Sequence, residues 1–302
     1  MASILIGTSS WTDKTLIESG LFYPPKTTTS EARLRYYADQ FPIVEVDSSY
    51  YALPSVRNSI LWVKRTPKEF VFDVKAFRLL TQHQTPLSAF PADIRGELPM
   101  KDKQNLYARD LPADIVDEIW GRFRESLVPL YKAGKLGVVL FQFPPWFVYR
   151  PSHLEYIVEC ARRMDGYRIA IEFRNKSWLD ERHREEVLSF ERDHALAHVI
   201  ADEPQGFASS IPAVWEVTSP GVAVVRLHGR NREAWEKKGL ATSAERFNYL
   251  YPEDELRGFV EPVRELAART QEVHVLFNNC YRNNAPRNAI ELRQLIEGQP
   301  KG

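Results

Sequence analysis

Eight short runs of β-branched and aromatic residues recur along the chain, and each ends in polar or ionisable residues. Segments with apolar residues at helical spacing separate most of these runs. Strands that alternate with helices are typical of α/β folds, and eight repeats predict a TIM-type (β/α) barrel of eight parallel strands. The runs end at Thr8-Ser9-Ser10, Glu45-Val46-Asp47, Asp73-Val74-Lys75, Gln142, Glu172-Phe173-Arg174, Asp202, Arg226-Leu227-His228 and Asn278-Asn279.

Local signals set the expected boundaries of several helices. Ser30 and Asp180 are predicted N-caps, and a helix over 56–64 is expected to stop before Thr66-Pro67. Strands are predicted over 4–6, 43–47, 70–75, 136–143, 168–173, 197–201, 222–228 and 273–277.

No internal repeat, low-complexity tract or linker divides the chain, so residues 1–302 are predicted to form one barrel domain. Residues 78–114, after the third strand, contain four prolines and little periodicity. Loops of this length inside a compact domain are typically functional, and we expect this insertion to act as a lid.

Composition narrows the class of protein. The 302 residues are 44% hydrophobic and 26% charged, which is ordinary for a globular protein, and the formal net charge of zero gives no basic footprint for nucleic acid. Two cysteines are too few for a disulfide scaffold. The amino terminus lacks a signal-peptide pattern and no apolar run is long enough for a bilayer, so a cytoplasmic protein without a membrane partner is expected.

Side chains alternate between the two faces of a strand, and the apolar positions define the outer face of the barrel. On this basis the polar residues at the strand ends point inward: Glu45, Asp47, Asp73, Lys75, Gln142, Glu172, Arg174, Asp202, Arg226, His228 and Asn278. Two interpretations stay open. The charges could form a structural ion-pair network, or they could form a site at the carboxyl-terminal mouth, which we favour because barrel interiors are normally aliphatic.

The chain resembles the YecE-like family (domain of unknown function 72). The similarity covers nearly the whole chain and rests on a set of motifs: Ile6-Gly7-Thr8-Ser9-Ser10-Trp11, Val44-Glu45-Val46-Asp47-Ser48-Ser49-Tyr50-Tyr51, Phe72-Asp73-Val74-Lys75-Ala76, Phe141-Gln142-Phe143-Pro144-Pro145, Ile171-Glu172-Phe173-Arg174 with Ser177-Trp178, Arg226-Leu227-His228-Gly229-Arg230, and Phe277-Asn278-Asn279.

The resemblance implies a TIM-type barrel but no activity. The chain departs from the family pattern in two places. Its proline-rich segment 84–113 resembles an insertion present in part of the family, and Cys280 stands where a polar residue is more usual.

Glu172 and His228 are the candidate catalytic residues, because acid–base chemistry needs a donor and an acceptor of different proton affinity. The alternative is that Glu172 only pairs with Arg226. The candidate substrate-binding residues are cations for an anionic group, polar groups that orient the ligand, and rings that stack on sugars or bases. They are Asp47, Lys75, Gln142, Arg174, Arg226, Asn278, Trp11, Tyr50 and Trp178.

No nucleotide-binding glycine motif and no histidine metal motif is present, so no cofactor is predicted. A divalent metal stays possible through Glu45, Asp47, Glu172, Asp202 and His228. Cys280 could face His228 as a thiolate nucleophile, although a free cysteine without a catalytic role is the simpler interpretation.

The sequence therefore predicts an enzyme that acts on a small polar, carbohydrate-like or anionic substrate by hydrolysis, elimination or isomerisation. The alternatives are a non-catalytic binding protein for a nucleotide or single-stranded nucleic acid, and a metal-assisted hydrolase or isomerase. The oligomeric state is left open.

Overall fold

The strands close into a parallel barrel of the TIM type, as the sequence pattern predicted. The computed structural model describes residues 2–98, 104–240 and 242–298. Each barrel strand pairs with the next along the chain, and β1 closes the barrel against β8. The strands are β1 (Ser3–Thr8), β2 (Ile43–Val46), β3 (Val71–Lys75), β4 (Leu136–Gln142), β5 (Ile169–Glu172), β6 (Ala197–Asp202), β7 (Val222–Leu227) and β8 (Glu272–Phe277).

Helices surround the barrel. They are α1 (Lys14–Ser19), α2 (Ser30–Gln40), α3 (Ser48–Tyr51), α4 (Val56–Lys64), α5 (Ala92–Glu97), α6 (Ala113–Lys132), α7 (Pro151–Arg163), α8 (Arg184–Asp193), α9 (Glu253–Arg269) and α10 (Asn284–Glu297). Residues 203–221, between β6 and β7, contain no helix. None of the helices within the described ranges combines the length and apolarity needed to cross a membrane.

The helix predicted over 56–64 is confirmed, with the bounds of α4. The two predicted helix caps, Ser30 and Asp180, were wrong because neither residue is the N-cap of its helix. The cap of α2 is Thr29, whose side chain accepts from the Ala32 N–H at 3.1 Å. Asp180 caps a turn that precedes α8, and its carboxylate accepts from the His183 N–H at 2.9 Å. Both residues belong to polar runs in which several side chains can accept the same hydrogen bonds.

The segment 78–114 is folded onto the barrel in its described part, and residues 99–103 lie outside the described residues. It contains α5 and two short antiparallel strands, Thr85–Pro86 and Asn105–Leu106. Phe90, Ile94 and Leu106 are buried in the main hydrophobic core. Its action as a lid stays a prediction.

The barrel interior has an apolar layer that is separate from the core beneath the helices. Strand registers place Leu140 beside Ala170 and Val199 beside Val224, so these side chains share the inner face. The layer consists of Val138, Leu140, Ala170, Ala197, Val199, Val222 and Val224. It lies between the charged groups at the two ends of the barrel.

A buried ion pair, absent from the sequence prediction, lies in the amino-terminal half of the barrel. His274 Nδ1 is 2.9 Å from Asp73 Oδ2, and both side chains are inaccessible to solvent. Asp73 also accepts from the Val138 N–H at 2.8 Å. A Cβ at Gly137 would lie 2.1 Å from Asp73 Oδ1, so glycine makes the room for this pair.

Raising the pH is expected to destabilise the barrel through His274. Burial alone lowers the pKa of this imidazole, but Asp73 and then Glu272 outweigh burial and raise it to about 9. A raised pKa gives stability that is complete below the ordinary value and is lost as the pH rises through about 9. Urea unfolding from about pH 6 to about pH 10 should show a loss on the order of 3 kcal/mol.

The H274Q variant isolates this contribution, because it removes the titrating group and keeps a polar side chain of similar size. Its unfolding free energy should vary less over the same pH range. His194 is exposed, so H194Q should behave like the unmodified protein. An unchanged pH profile in H274Q would show that the pair does not titrate with folding.

Candidate functional site at the carboxyl-terminal mouth

Arg226 of β7 is the centre of a buried charge cluster at the carboxyl-terminal end of the barrel. Its Nε and Nη2 donate to the two carboxylate oxygens of Glu45 at 2.8 and 2.7 Å. Its Nη1 donates to Glu172, and also lies 3.3 Å from Gln142 Oε1. Arg226, Glu45 and Glu172 are inaccessible to solvent. Strand alternation therefore brings together residues from β2, β4, β5 and β7.

Arg174 extends the cluster toward the mouth. One nitrogen, Nη1, lies 3.1 Å from Glu172 Oε1 and 2.8 Å from Glu203 Oε2. The guanidinium carbon is 5.0 Å from the centroid of the Trp235 ring, within the range of a cation–π contact. Glu203 is buried and its other carboxylate oxygen accepts from the Ile211 N–H at 2.8 Å.

Glu203 was missed by the sequence prediction, which placed Asp202 at the inner face instead. The register aligns Ala201 with Arg226 and Asp202 with Leu227, so Asp202 lies on the outer face. Its carboxylate accepts from Arg230 and from the Tyr251 hydroxyl, each at 2.7 Å. Residues 197–201 are apolar apart from one histidine, so either set of alternate residues could face the barrel interior. Alternation alone therefore did not identify Glu203.

The cluster holds three buried carboxylates, Glu45, Glu172 and Glu203, against two guanidiniums. Burial raises the pKa of Glu45 to about 7 despite the opposing effect of Arg226, and it raises the pKa of Glu203 to about 7 despite Arg174. Burial also disfavours the charge on Glu172, but the side chains around it, Arg226 foremost, together outweigh burial and hold the pKa of this carboxyl well below its usual range. Near neutral pH the cluster can therefore hold a proton, while Glu172 stays ionised.

His228 connects the cluster to the mouth. Its Nδ1 lies 2.7 Å from the Asn278 amide nitrogen, and its Nε2 lies 3.3 Å from Glu172 Oε1 outside hydrogen-bond geometry. Burial, and then Arg174, lowers the pKa of His228 to about 3, so the imidazole is neutral. With Nδ1 accepting from the amide, the remaining ring proton is on Nε2 and faces the carboxylate.

A cavity of about 270 Å³ opens at the carboxyl ends of β1, β2 and β8. Two predicted binding residues line it, Asp47 and Asn278. Asp47 is held at 2.9 Å by Lys75 Nζ, and Asn278 contacts His228. The remaining lining is mostly hydroxyls, carboxylates and aromatic rings: Ser9, Ser10, Thr12, Asp13, Lys14, Ser48, Tyr51, Ala244, Phe247 and Cys280.

The three aromatic candidates have different positions. Trp11 is buried against Trp62, with ring centroids 5.8 Å apart, and Trp178 stacks on Phe173 at 4.2 Å. The structure therefore places Trp11 and Trp178 between the barrel and its surrounding helices, which corrects their assignment to the mouth. Tyr50 lies at the mouth, half-buried beside Lys75.

Two further candidate chemistries depend on side chains around the cavity. Burial raises the pKa of the Cys280 thiol well above its usual value, so the reactive thiolate is disfavoured. Within residues 2–98, 104–240 and 242–298, no three His, Cys, Asp or Glu side chains are grouped to hold a metal ion. The possibility of a divalent metal stays a prediction.

Comparisons with known proteins give the family. A profile described as "Protein of unknown function DUF72" matches residues 5–302. The chain belongs to the DUF72 family. UPF0759 protein YunF of Bacillus subtilis (strain 168) is 36% identical over 301 residues, which cover 99% of this chain and 96% of that protein.

Solved structures of DUF72 proteins have the same barrel. A DUF72 family protein from Enterococcus faecalis V583 is similar with a TM-score of 0.80, at 27% identity and over 99% of each chain. A DUF72 protein from Thermotoga maritima MSB8 has a TM-score of 0.76 at 30% identity, over 98% of this chain and 99% of that one. These comparisons support the family and the fold, and they name no reaction.

Proposed function

We propose that this DUF72 protein is an enzyme that carries out acid–base chemistry on a small polar substrate in the mouth cavity. The observation that carries the proposal is a continuous series of contacts from the cavity to a buried ionised carboxylate. Asn278 lines the cavity and contacts His228, and His228 in turn faces Glu172. A site of this kind at the carboxyl ends of barrel strands is the usual location of catalysis in the fold.

His228 is the group that would accept a proton. A substrate hydroxyl that displaces the Asn278 amide would free Nδ1 as the acceptor. Glu172, beside Nε2, would stabilise the imidazolium that forms, and Arg226 would keep Glu172 ionised. Hydrolysis, elimination and isomerisation all include such a proton transfer.

The cavity lining favours a carbohydrate-like ligand. Asp47 and Asp13 carry carboxylate oxygens that accept from hydroxyl groups, and Asn278 offers both a donor and an acceptor. Tyr51 and Phe247 add apolar ring surface on the same cavity, suited to the C–H faces of a sugar.

A second candidate is a non-catalytic protein that binds a nucleotide or single-stranded nucleic acid. It is favoured by rings at the mouth that remain exposed, Tyr51 at 53% and Trp146 at 55%. The formal net charge of zero argues against a long polyanion as the partner.

Incubation of the purified protein with a pool of cell metabolites separates the two functions. Mass spectrometry should show at least one polyhydroxylated compound consumed and a product formed. The experiment is repeated after chelation and again with added Mg²⁺ or Mn²⁺, which tests the metal-assisted alternative. Compounds that are retained by the protein but never converted would contradict the enzyme and support the binding protein.

A further inference from the structure

Arg78 is an arginine at the mouth to which the described residues give no acidic partner. It follows β3 on a single 3-10 turn, Arg78–Thr81, and is half-buried. No ion pair joins it to any acid in the described parts of the chain, and its Nε is buried without a hydrogen-bond partner. A guanidinium that is partly desolvated and unpaired is costly, so a missing anion is the simplest explanation.

The surroundings of Arg78 are cationic. The Tyr50 ring has the Arg78 guanidinium carbon at 5.1 Å and Lys75 Nζ at 4.8 Å from its centroid. His83 is 5.1 Å from the same ring. Burial, and then Lys75, Arg78 and Arg174, lower the pKa of His83 to about 3, so this histidine adds no positive charge but lies in a positive potential.

The Arg78 turn has a defined conformation. The His83 N–H donates to the Arg78 carbonyl at 3.1 Å, and the Tyr156 hydroxyl donates to the Leu80 carbonyl at 3.0 Å. Gln82 adopts a left-handed φ of 64°, which is strained for a residue other than glycine. Such a conformation persists where its surroundings enforce it, and it is common at binding sites.

The cationic group adjoins two residues that line the mouth cavity. Asp47 lines the cavity and bonds to Lys75, and Tyr51 lines the cavity while its ring contacts Tyr50 at 5.0 Å. A ligand that extends from the cavity past Asp47 and Tyr51 would therefore approach Lys75 and the Tyr50 ring on which Arg78 lies. On the far side of His83 the exposed Trp146 ring lies 5.8 Å from the imidazole.

We propose that Arg78, together with Lys75, binds the anionic group of a polyhydroxylated substrate whose hydroxyl-bearing part lies in the mouth cavity. The inference rests on the proposed function and names its substrate class, a sugar phosphate or a sugar acid. The planar guanidinium gives two parallel donors to a phosphate or carboxylate, and the Lys75 ammonium adds a second charge. Asp47 would remain bonded to Lys75 and accept from a ligand hydroxyl.

Isothermal titration of the full chain tests this site with four probes: ribose, inorganic phosphate, ribose 5-phosphate and ribonate. One of the two anionic sugars should bind at least about tenfold more tightly than ribose, because an ionic hydrogen bond is added to the same polyol contacts. Whichever of the two binds more tightly identifies the anionic group as phosphate or carboxylate.

R78Q should lose about tenfold or more of the affinity for that anionic sugar and leave the affinity for ribose unchanged. R78K keeps the positive charge but loses the two parallel guanidinium donors, so it should retain part of the affinity. R264Q removes the same charge on α9, where Arg264 is 46% exposed and paired with Glu261, and should bind like the unmodified protein. Circular dichroism of each variant checks folding.

The inference is overturned if neither anionic sugar binds more tightly than ribose, or if folded R78Q and R78K bind both as the unmodified protein does. Those results leave the proposed acid–base function intact, because that function is tested by metabolite consumption. If the protein consumed only uncharged sugars and bound none of the anions tightly, the anion site would be contradicted while the acid–base function would stand.

Discussion

Replacing Arg226 by methionine is expected to destabilise the barrel by about 3–5 kcal/mol, the cost of leaving buried charges without a partner. Arg226 forms a two-pronged bond to Glu45 and also bonds to Glu172, and all three side chains are inaccessible to water. R226M retains an unbranched side chain but leaves Glu45 without a guanidinium and Glu172 with Arg174 alone, both in a dry interior. Each would then be forced to take up a proton or to admit water.

Urea unfolding at neutral pH, followed by tryptophan fluorescence, measures the loss. R192M is the matched control, because Arg192 is 41% exposed and pairs with the exposed Glu185. The control should change the unfolding free energy by at most about 0.5 kcal/mol. The triple variant E45Q/E172Q/R226M removes the charges together and should regain part of the stability. An R226M protein as stable as R192M would contradict the buried cluster.

Replacing Glu172 by glutamine is expected to reduce turnover by about a hundred- to ten-thousandfold while the barrel stays folded. In E172Q the remaining buried charges balance, with Glu45 on Arg226 and Glu203 on Arg174. The variant therefore loses the carboxylate beside His228 without leaving an unpaired guanidinium. The rate is measured on the metabolite found to be consumed, together with the urea unfolding midpoint.

E45Q is the matched control for E172Q. It makes the same chemical change on the same guanidinium and leaves Arg226 paired with Glu172, the carboxylate that lies 3.3 Å from His228 Nε2. Its turnover should stay within a few-fold of the unmodified rate. Equal losses of turnover in both variants, or unfolding of E172Q, would support the alternative in which the cluster is a structural ion-pair network.

Strand alternation is the part of the site that sequence predicted well. On β2, β5 and β7 a charged residue stands between two aliphatic residues or beside one. Side chains alternate between the faces of a strand, so the aliphatic side chains lie under the helices only if the charged residue faces the barrel interior. Glu45, Glu172 and Arg226 follow from that rule. These three residues were predicted to face inward, although they are far apart in the chain, with Glu45 and Arg226 separated by 181 positions.

Strand alternation failed on β6, where apolar residues on both faces do not distinguish the inner face from the outer face. β6 is almost uniformly apolar before Asp202, so the inward acid could be either Asp202 or Glu203, and only the pairing with β7 decided for Glu203. His274 was overlooked for a related reason, because it lies in the middle of β8 and not at its end. Its partner Asp73 lies on β3, which is distant from β8 in the sequence.

The sequence by itself determined the barrel, most element boundaries and which strand ends carry charge, because hydrophobic periodicity is a local property of the chain. Only the tertiary structure decided which acid pairs with which arginine, that Trp11 and Trp178 are packed away from the mouth, and that the cavity lies over β1, β2 and β8. It also decided that Arg78 has no acidic partner in the described residues. Pairing, burial and cavity position depend on distances between segments that are distant in sequence, and no local pattern encodes those distances.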